Sequence, residues 1–399
     1  DGDLEDPLLV FANPRIEKPD RHDPKVKYYR AGKVYDVGSI ELKDNETLFL
    51  EGGAVVRGVV RARGASNVSV RGPGILDGSS RSHKINFLVM RECEQAVLEN
   101  FILLDPLGWS IHLSGSRDVQ MSNVRVVGWR KNSDGLDIEY SSNVTVRGCF
   151  WRTNDDCIAV KAIYPPGVKD VPFEEMIDPE SLGGHEVERV VGDSMGNIDI
   201  SECILWNDSG GQGFEVGFEL RIDEIRDIRF TNSDIIHVRG GGAFTIHNGD
   251  RAKIRNLHIE NVRVENTERF IDFHVGLSIY SEDCPREFQR SNPDRSAPSR
   301  RPKHANNPWQ WYIPEADQMT RHEAYRGLVQ GVVIKDVNLI NPPTKGSILN
   351  GFSESHAISD IRFENVVING KSVLSAADAQ LHINDYVEAL KFTTSKDKP

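Results

Sequence analysis

The chain has 399 residues, of which 38% are hydrophobic and 27% are charged, so it can bury a sizeable core in one large or two modest domains. Its formal charge of −12 argues against nucleic acid and anionic membrane as partners, because both attract clustered positive charge. No apolar run approaches the roughly 20 residues of a membrane-spanning helix. The first residue is Asp1 rather than Met, from which we expect a processed or recombinant start.

The five cysteines are too few and too scattered for a disulfide scaffold, and no pair has the Cys-x-x-Cys spacing of a zinc site. Cys149, Cys157 and Cys203 fall inside strand patterns, so we expect them to be buried thiols. An odd number leaves at least one thiol unpaired in a monomer. We expect neither a metal nor a cofactor.

Three parts follow one another along the chain. Residues 1–35 are rich in proline and charge, which predicts a lead-in or cap. We expect a repeating catalytic part over residues 36–375, and residues 376–399 predict a short mixed segment with a charged tail. The sequence does not indicate the oligomeric state.

A short unit recurs along the repeating part: Asn, an aliphatic residue, any residue, and a second aliphatic residue. Its period of two indicates a strand with one face buried. Turn-forming Gly, Asn, Asp and Ser separate the copies, and long helical periodicity is hard to find from Val56 to Ile271. The sequence therefore predicts an all-β protein. Copies of the unit begin at Asn67, Asn123, Asn143, Asn197, Asn256 and Asn261.

The spacing of these copies favours a solenoid. Asn123 and Asn143 lie 20 residues apart (143 − 123), and three short strands with their turns need roughly 20–25 residues. The asparagines of successive coils are then expected to form a ladder of side-chain amides. A β-sandwich is the alternative, but its hairpin turns recur every ~8–12 residues and few Asn-Gly or Asp-Gly signals occur here.

Two insertions interrupt the repeat, at residues 162–196 and 281–326. Insertions into a solenoid become loops on one face, which is often the binding face. The second insertion carries Trp309 and Trp311. Their rings could stack on a sugar or simply pack against the solenoid.

Two acidic motifs, Asn132-Ser133-Asp134-Gly135 and Asn154-Asp155-Asp156-Cys157, place Asp134 and Asp155 21 residues apart (155 − 134). Coils of about that length put both side chains on neighbouring rungs of one face, and a turn at Asn154 would add Asp156 to the same patch. Repulsion among the carboxylates raises the pKa of at least one of them. A proton donor beside ionised acids is what inverting hydrolysis of a glycosidic bond requires.

These motifs resemble the paired acidic motifs of the polygalacturonase-type glycoside hydrolases, family 28, and of the dextranases and isopullulanases of family 49 in the same clan. The resemblance implies a right-handed parallel β-helix over about residues 40–370, and an inverting glycoside hydrolase acting on a polysaccharide or oligosaccharide. It also implies that Asp155 is the general acid, and that Asp134 and Asp156 hold and deprotonate the water. We expect a secreted or periplasmic location.

The chain departs from the pectin-cleaving pattern at two places. Gln212 replaces the histidine of a Gly-His-Gly segment, and Thr245-Ile246-His247 is the best local match to an Arg-Ile-Lys segment that grips the substrate carboxylate. A uronic acid needs a cationic clamp, since an unpaired buried carboxylate is costly. We therefore predict a neutral, α-linked substrate and a branch closer to family 49, or a divergent one.

Further residues are candidates for substrate binding. Family 49 has a lysine after its acidic pair, and Lys161 resembles it, although its position along the chain is shifted. Each candidate also has a structural interpretation, such as a turn for His247 or solvation for Glu215 and Glu219. His112 is interpreted as a satisfied core histidine. The substrate-binding candidates are Asp137, Lys161, Gln212, Glu215, His247, Trp309 and Trp311.

Two other functions fit part of the sequence. A polysaccharide lyase on the same solenoid would need a uronate, a base and usually Ca²⁺, and the missing cationic clamp argues against it. A non-catalytic glycan-binding β-helix would bind sugar in the same cleft without cutting it. Detection of new reducing ends separates the hydrolase from the second of these.

Overall fold

The computed structural model describes residues 7–166, 192–285 and 311–394. Within these ranges 29 strands join into one continuous hydrogen-bonded sheet, and the neighbours along it are predominantly parallel. Each coil contributes a strand to three faces, which we call the first, second and third sheets in the order in which the chain visits them. The predicted all-β parallel β-helix is confirmed.

The first sheet carries the recurring Asn units. Its strands are β1 (Val26–Tyr29), β3 (Thr47–Leu50), β5 (Ser69–Arg71), β8 (Val97–Glu99), β11 (Arg117–Ser122), β14 (Ser142–Arg147), β17 (Ser194–Ser201), β27 (Ile358–Glu364) and β31 (Val387–Thr393).

The second sheet is built from short strands. They are β6 (Ile75–Asp77), β9 (Ile102–Leu104), β12 (Arg125–Val127), β15 (Phe150–Thr153), β18 (Ile204–Asn207) and β28 (Val367–Ile368), which forms a hairpin with β29 (Lys371–Ser372).

The third sheet follows directly after the turns that bear the acidic motifs. Its strands are β7 (Leu88–Arg91), β10 (Ile111–Ser114), β13 (Leu136–Glu139), β16 (Ile158–Ala162), β19 (Phe214–Leu220), β22 (Thr267–Val275), β26 (Ser347–Asn350) and β30 (Leu381–Ile383).

Five long strands bend from one sheet into the next, and three short elements lie outside the solenoid. The long strands are β2 (Lys33–Leu42), β4 (Ala54–Arg63), β20 (Glu224–Asn248), β21 (Lys253–Val264) and β25 (Leu328–Leu339). The outlying elements are the antiparallel pair β23 (Leu277–Ser278) and β24 (Trp311–Tyr312), and helix α1 (Met319–Glu323).

The asparagine ladder is present. The side-chain amide of Asn143 donates to Asp118 Oδ1 at 2.8 Å, and that of Asn197 donates to Asn143 Oδ1 at 2.9 Å. Asn123 donates to Asn100 Oδ1 at 2.7 Å along a second line of turns. The ladder asparagines have φ near +55°, for example 56° at Asn143, a left-handed conformation that asparagine tolerates better than most residues. The repeated Asn therefore satisfies both the turn geometry and the stacking of the coils.

The core runs along the solenoid axis because alternate side chains of every coil point inward. In β14 the buried residues are Val144 and Val146, which lie in register with Ile198 and Ile200 of the next coil. Such stacks of identical or similar residues bury apolar surface between coils. All five cysteines are buried free thiols, so the prediction for Cys149, Cys157 and Cys203 is confirmed.

Parallel pairing runs beyond the predicted limits of 36 and 375. β1 pairs with β3 from Val26 onward, and β31 pairs with β27 as far as Thr393. These terminal strands are only partly buried, so they lack the strict apolar alternation by which a strand is recognised in a sequence. The preceding lead-in packs along the side of the solenoid, where the rings of Phe11 and Phe150 lie 5.2 Å apart.

The predicted insertions fall partly on residues 167–191 and 286–310, which lie outside the described residues. The described start of the first insertion is anchored by Glu139, which accepts hydrogen bonds from the backbone of Ile163 at 3.1 Å and Tyr164 at 2.8 Å. The described end of the second is anchored by Arg326, which binds Asp283 and the carbonyl of Gly249. In the described part of the chain, no helix has the length and apolar character needed to cross a bilayer.

Candidate active site

The acidic motifs lie on successive turns between the second and third sheets. Asp134 stands between β12 and β13, and Asp155 and Asp156 stand between β15 and β16. Gln212 lies on the corresponding turn of the next coil, between β18 and β19. Because parallel coils stack in register, these three turns form one edge of the solenoid.

The register shows which acids are direct neighbours. Leu136 pairs with Ile158, a step of 22 residues (158 − 136), and the amide of Gly135 donates to the carbonyl of Asp156 at 2.8 Å. The residue one coil along from Asp134 is therefore Asp156. Asp155 is the additional residue of the turn, which corrects the expectation that the 21-residue spacing makes Asp134 and Asp155 equivalent rungs.

Lys161 lies at the centre of the acidic cluster. Its Nζ is 3.7 Å from Asp134 Oδ2, 3.8 Å from Asp137 Oδ1 and 3.9 Å from Asp156 Oδ2. The ring of Trp109 lies under the ammonium at 4.9 Å from its centroid. The structure thus brings Asp134, Asp137, Asp156 and Lys161 together as one buried group.

A backbone amide of the next coil fixes the carboxylate of Asp156. Its Oδ1 accepts a hydrogen bond from the amide of Gln212 at 2.7 Å, and the Gln212 side chain in turn accepts from the amide of Gly242 at 2.6 Å. Gln212 therefore orients Asp156 through its backbone, and its side-chain oxygen is already engaged.

Asp155 is half-buried and faces a different environment from the other acids. Its Oδ2 accepts from the amide of Asn132 at 3.4 Å, and its backbone carbonyl accepts from Asn207 at 2.7 Å and Thr153 at 2.6 Å. The turn is thus held by its main chain, while the carboxyl makes one long hydrogen bond. This carboxyl is the most accessible of the three predicted catalytic acids.

The electrostatics of the cluster follow from burial. Burial raises the pKa of Asp134 well above its usual range, and the charges of Asp137 and Asp155 raise it further. The pKa of Asp156 is also raised well above its usual range, first by burial and then by the charges of Glu215 and Asp155. Burial also raises the pKa of Asp155. Burial alone would lower the pKa of Lys161, but the surrounding acids raise it well above the usual value, so the lysine stays charged.

His247 is the second buried cation. Its Nδ1 lies 2.8 Å from Glu215 Oε1, and its Nε2 lies 3.8 Å from Asp272 Oδ2. Burial alone would lower the pKa of His247, but Glu215 and Asp272 raise it to about 9. The imidazolium is therefore charged at neutral pH, and it lowers the pKa of Glu215 against the effect of burial. Glu215 and His247 form the floor of the site.

The predicted sugar platform at Trp311 is not an open surface. Trp311 is 1% exposed and stacks on His274 with ring centroids 3.9 Å apart. Phe218 lies above His247 at 4.4 Å and is the more accessible ring of this group. Burial lowers the pKa of His274 to about 3, which keeps it neutral in the stack. Trp309 lies outside the described residues.

Replacement of Trp311 by alanine is expected to reduce stability by about 3–5 kcal/mol, because it empties a fully buried aromatic position. Chemical denaturation measures the loss. Ile313→Ala, two residues away and 39% exposed, is the matched control and should change stability by less than about 0.5 kcal/mol. Equal stability of the Trp311 variant and the native protein would contradict the packing role.

Glu139 and Lys84 are charged residues of this edge that were not singled out from the sequence. His112 is a buried, hydrogen-bonded histidine as predicted; its Nε2 lies 2.7 Å from Glu139 Oε2 and its Nδ1 lies 3.1 Å from the side-chain amide of Asn86. Glu215 and Glu219 are buried, so the interpretation of both as solvated residues is wrong, and the charge of Lys161 acts on Glu219. Exposed Lys84, from the turn between β6 and β7, acts electrostatically on Asp155. The third sheet carries a row of polar residues that includes Glu215 and Asp272. This row could have been recognised in the sequence only if the register of the strands had been known.

Comparison with known proteins finds similar sequences and a shared fold. Residues 39–185 match the family model of glycosyl hydrolases family 28. A protein named a probable polygalacturonase from Arabidopsis thaliana is 33% identical over 101 residues, which cover 23% of this chain and 22% of the relative. Exopolygalacturonase A of Aspergillus niger is 24% identical over 230 residues, which cover 52% of this chain and 48% of the relative.

The chain is a parallel β-helix protein that is similar to family 28 glycosyl hydrolases over residues 39–185. The hyperthermoactive exopolygalacturonase of Thermotoga maritima shares this fold, with a TM-score of 0.62 at 14% identity, over 92% of this chain and 84% of that one. The chain spans between 22% and 48% of the length of the curated relatives named above. The family match supports the predicted assignment to glycoside hydrolases.

Proposed function

We propose that this protein is an inverting glycoside hydrolase that cleaves an α-linked polysaccharide or oligosaccharide. The observation that carries the proposal is the gathering of Asp134, Asp155 and Asp156 on adjacent turns beside the buried ammonium of Lys161. The family match over residues 39–185 supports the same reaction class.

Asp155 is proposed as the general acid. Its carboxyl is half-buried at the rim, where a glycosidic oxygen can reach it, and burial raises its pKa. A raised pKa keeps a proton on the carboxyl at a pH where an ordinary aspartate is ionised. Asp155 then protonates the leaving oxygen while the bond to the anomeric carbon breaks.

Asp134 and Asp156 are proposed to hold the attacking water and to accept its proton. Both lie within 3.9 Å of the ammonium of Lys161, whose charge opposes the burial and the neighbouring acids that raise the pKa of each carboxyl. Attack by water from the side opposite the leaving oxygen inverts the anomeric configuration. The buried residues Asp137, Glu215 and His247 are proposed to set the pKa values of this pair.

A neutral sugar is proposed as the substrate. Lys161 is already enclosed by three carboxylates, and His247 is bound to Glu215 beneath Phe218. Both buried cations are thus committed to protein acids. A substrate carboxylate would add negative charge to an edge that already holds several acids, which is unfavourable in a buried site.

A polymer of galacturonic acid is the second candidate. It is favoured by the relatives, which are named polygalacturonases, and by exposed Lys84, whose charge lowers the pKa of Asp155 against the effect of burial. An exposed lysine at the rim could pair with a substrate carboxylate. A secreted or periplasmic location is proposed for either candidate, since an external polysaccharide is too large to cross a membrane before it is cleaved.

A screen for new reducing ends tests the proposal and separates the two substrates. We expect cleavage of an α-glucan such as dextran or pullulan, with products of inverted anomeric configuration by NMR. Cleavage of polygalacturonate alone would replace the neutral substrate by the second candidate. Unsaturated products would identify a lyase, and binding without new ends from any glycan in the panel would identify a non-catalytic binder.

A further inference from the structure

Trp129 is an exposed aromatic side chain beside the acidic cluster. It lies on the turn between β12 and β13, five residues before Asp134 (134 − 129). Its side chain is 40% exposed. The other tryptophans in the described ranges are all buried, namely Trp109, Trp151, Trp206 and Trp311.

One side of the Trp129 ring is covered by a buried cation. The guanidinium carbon of Arg152 lies 3.8 Å from the centroid of Trp129 and 4.5 Å from that of Trp206. Arg152 is itself buried between the two rings. Cation–π contact with a desolvated guanidinium holds an indole in one orientation. The ring of Trp129 is thus fixed from beneath while part of it stays open to solvent.

The backbone around Trp129 is tied to the turn of the proposed general acid. The amide of Gly128 donates to the carbonyl of Arg152 at 2.6 Å, and the amide of Asn154 donates to Ser133 Oγ at 3.2 Å. Arg130 reaches back along the solenoid to the carbonyl of Gly78 at 3.2 Å. The ring therefore has a defined position relative to Asp155 before any ligand arrives, which lowers the entropic cost of binding.

The chemistry of this surface suits a sugar ring. One face of a pyranose presents C–H groups, and its hydroxyls project around the edge. A flat indole of fixed orientation buries that apolar face and leaves the hydroxyls at the edge of the sugar ring in solvent. The charged neighbours Arg130 and Lys131 argue against an apolar protein partner at this place.

We propose that Trp129 is a sugar-binding platform, on which one ring of the glycan stacks while the adjoining glycosidic bond lies at Asp155. This inference rests on the proposed function and extends it by naming a binding subsite. It gives Trp129 no part in proton transfer.

Calorimetric titration of full chains that carry Asp155→Asn tests the platform without turnover. The ligands are isomaltohexaose and hexagalacturonate, one for each candidate substrate. Adding Trp129→Ala should weaken binding of the better ligand about tenfold, the effect of exposing one face of a sugar ring. Trp129→Tyr keeps an aromatic ring, so its affinity should stay within about threefold of that of the Asp155→Asn chain. Ile204 is an exposed residue at the start of β18, and the affinity of the Ile204→Ala control should stay within about twofold.

The outcomes separate the platform from the function. If the Asp155→Asn chain binds one hexasaccharide and Trp129→Ala leaves its affinity within twofold, the platform is overturned and the proposed function stands. If the chain binds neither ligand and the native protein cleaves no glycan, both fail.

A second measurement uses the native protein and therefore tests the platform even if the Trp129→Ala chain does not fold. Oxidation of Trp129 in the native protein by N-bromosuccinimide, followed by peptide mass spectrometry, should be slowed by saturating hexasaccharide. Unchanged oxidation of Trp129 would overturn the platform.

Discussion

Replacement of Asp155 by asparagine is expected to lower turnover by about 10²–10⁴-fold, because the leaving oxygen loses its proton donor. Asparagine keeps the size of the side chain and can still contact Asn132, so the fold and the affinity for glycan should remain near those of the native protein. Release of reducing ends measures turnover, and thermal denaturation checks the fold.

Asp199→Asn is the matched control for this variant. Asp199 lies on β17 in the first sheet, where its carboxylate is 3.9 Å from Arg229 and is substantially exposed. An exposed ion pair of this kind contributes little, so activity and stability should both be unchanged. Full activity of the Asp155 variant would end its assignment as the general acid.

Replacement of Lys161 by methionine is expected to be the most damaging single charge change in the site. Methionine has a similar length but leaves Asp134, Asp137 and Asp156 buried without their shared cation. Breaking a buried pair in this way costs about 3–5 kcal/mol near neutral pH. Activity should fall as well, because the pKa values of the acids rise further and the base is then protonated.

The pH dependence of this loss has a definite sign. A carboxyl whose native pKa lies above its unfolded value stabilises the native state below the unfolded pKa, and that contribution is lost as pH rises through the native pKa. Because Lys161→Met raises the native pKa values further, its deficit in unfolding free energy should be largest near pH 7 and smaller near pH 4.

Denaturation at the two pH values measures that deficit. Lys253→Met, at an exposed lysine that begins β21, is the control and should cost less than about 0.5 kcal/mol at either pH. An equal deficit for Lys161→Met at both pH values would mean that Lys161 acts through packing rather than charge.

Several predicted binding residues are too deeply buried to contact a substrate directly. Asp137, Glu215 and His247 are almost completely buried, so we propose that they influence a bound substrate through the catalytic acids rather than by direct contact. Burial, and after it the charges of neighbouring acids, raises the pKa of several carboxyls at once. Such a cluster titrates as a unit, and its pH–activity profile reports the group rather than one residue.

Local sequence patterns determined the fold class of this protein. The repeated Asn units carry the strand alternation of residues such as Val144 and Val146 together with the turn conformation of Asn143, and both are properties of a few neighbouring residues. The acidic motifs likewise indicated Asp134, Asp155 and Asp156 as candidate catalytic residues, because neighbouring carboxyls are the groups that glycoside hydrolysis uses.

Only the tertiary structure decided which of these residues meet, and in what surroundings. The 22-residue step that sets Asp156 beside Asp134, the enclosure of Lys161 and the burial of Trp311 each depend on how successive coils stack. A one-residue difference in turn length changes which side chain faces the neighbouring coil, and burial depends on atoms contributed by distant segments. Arg152 contacts Trp129 and Trp206 for the same reason: residues 23 and 54 positions away (152 − 129 and 206 − 152) come within reach only when the coils are stacked.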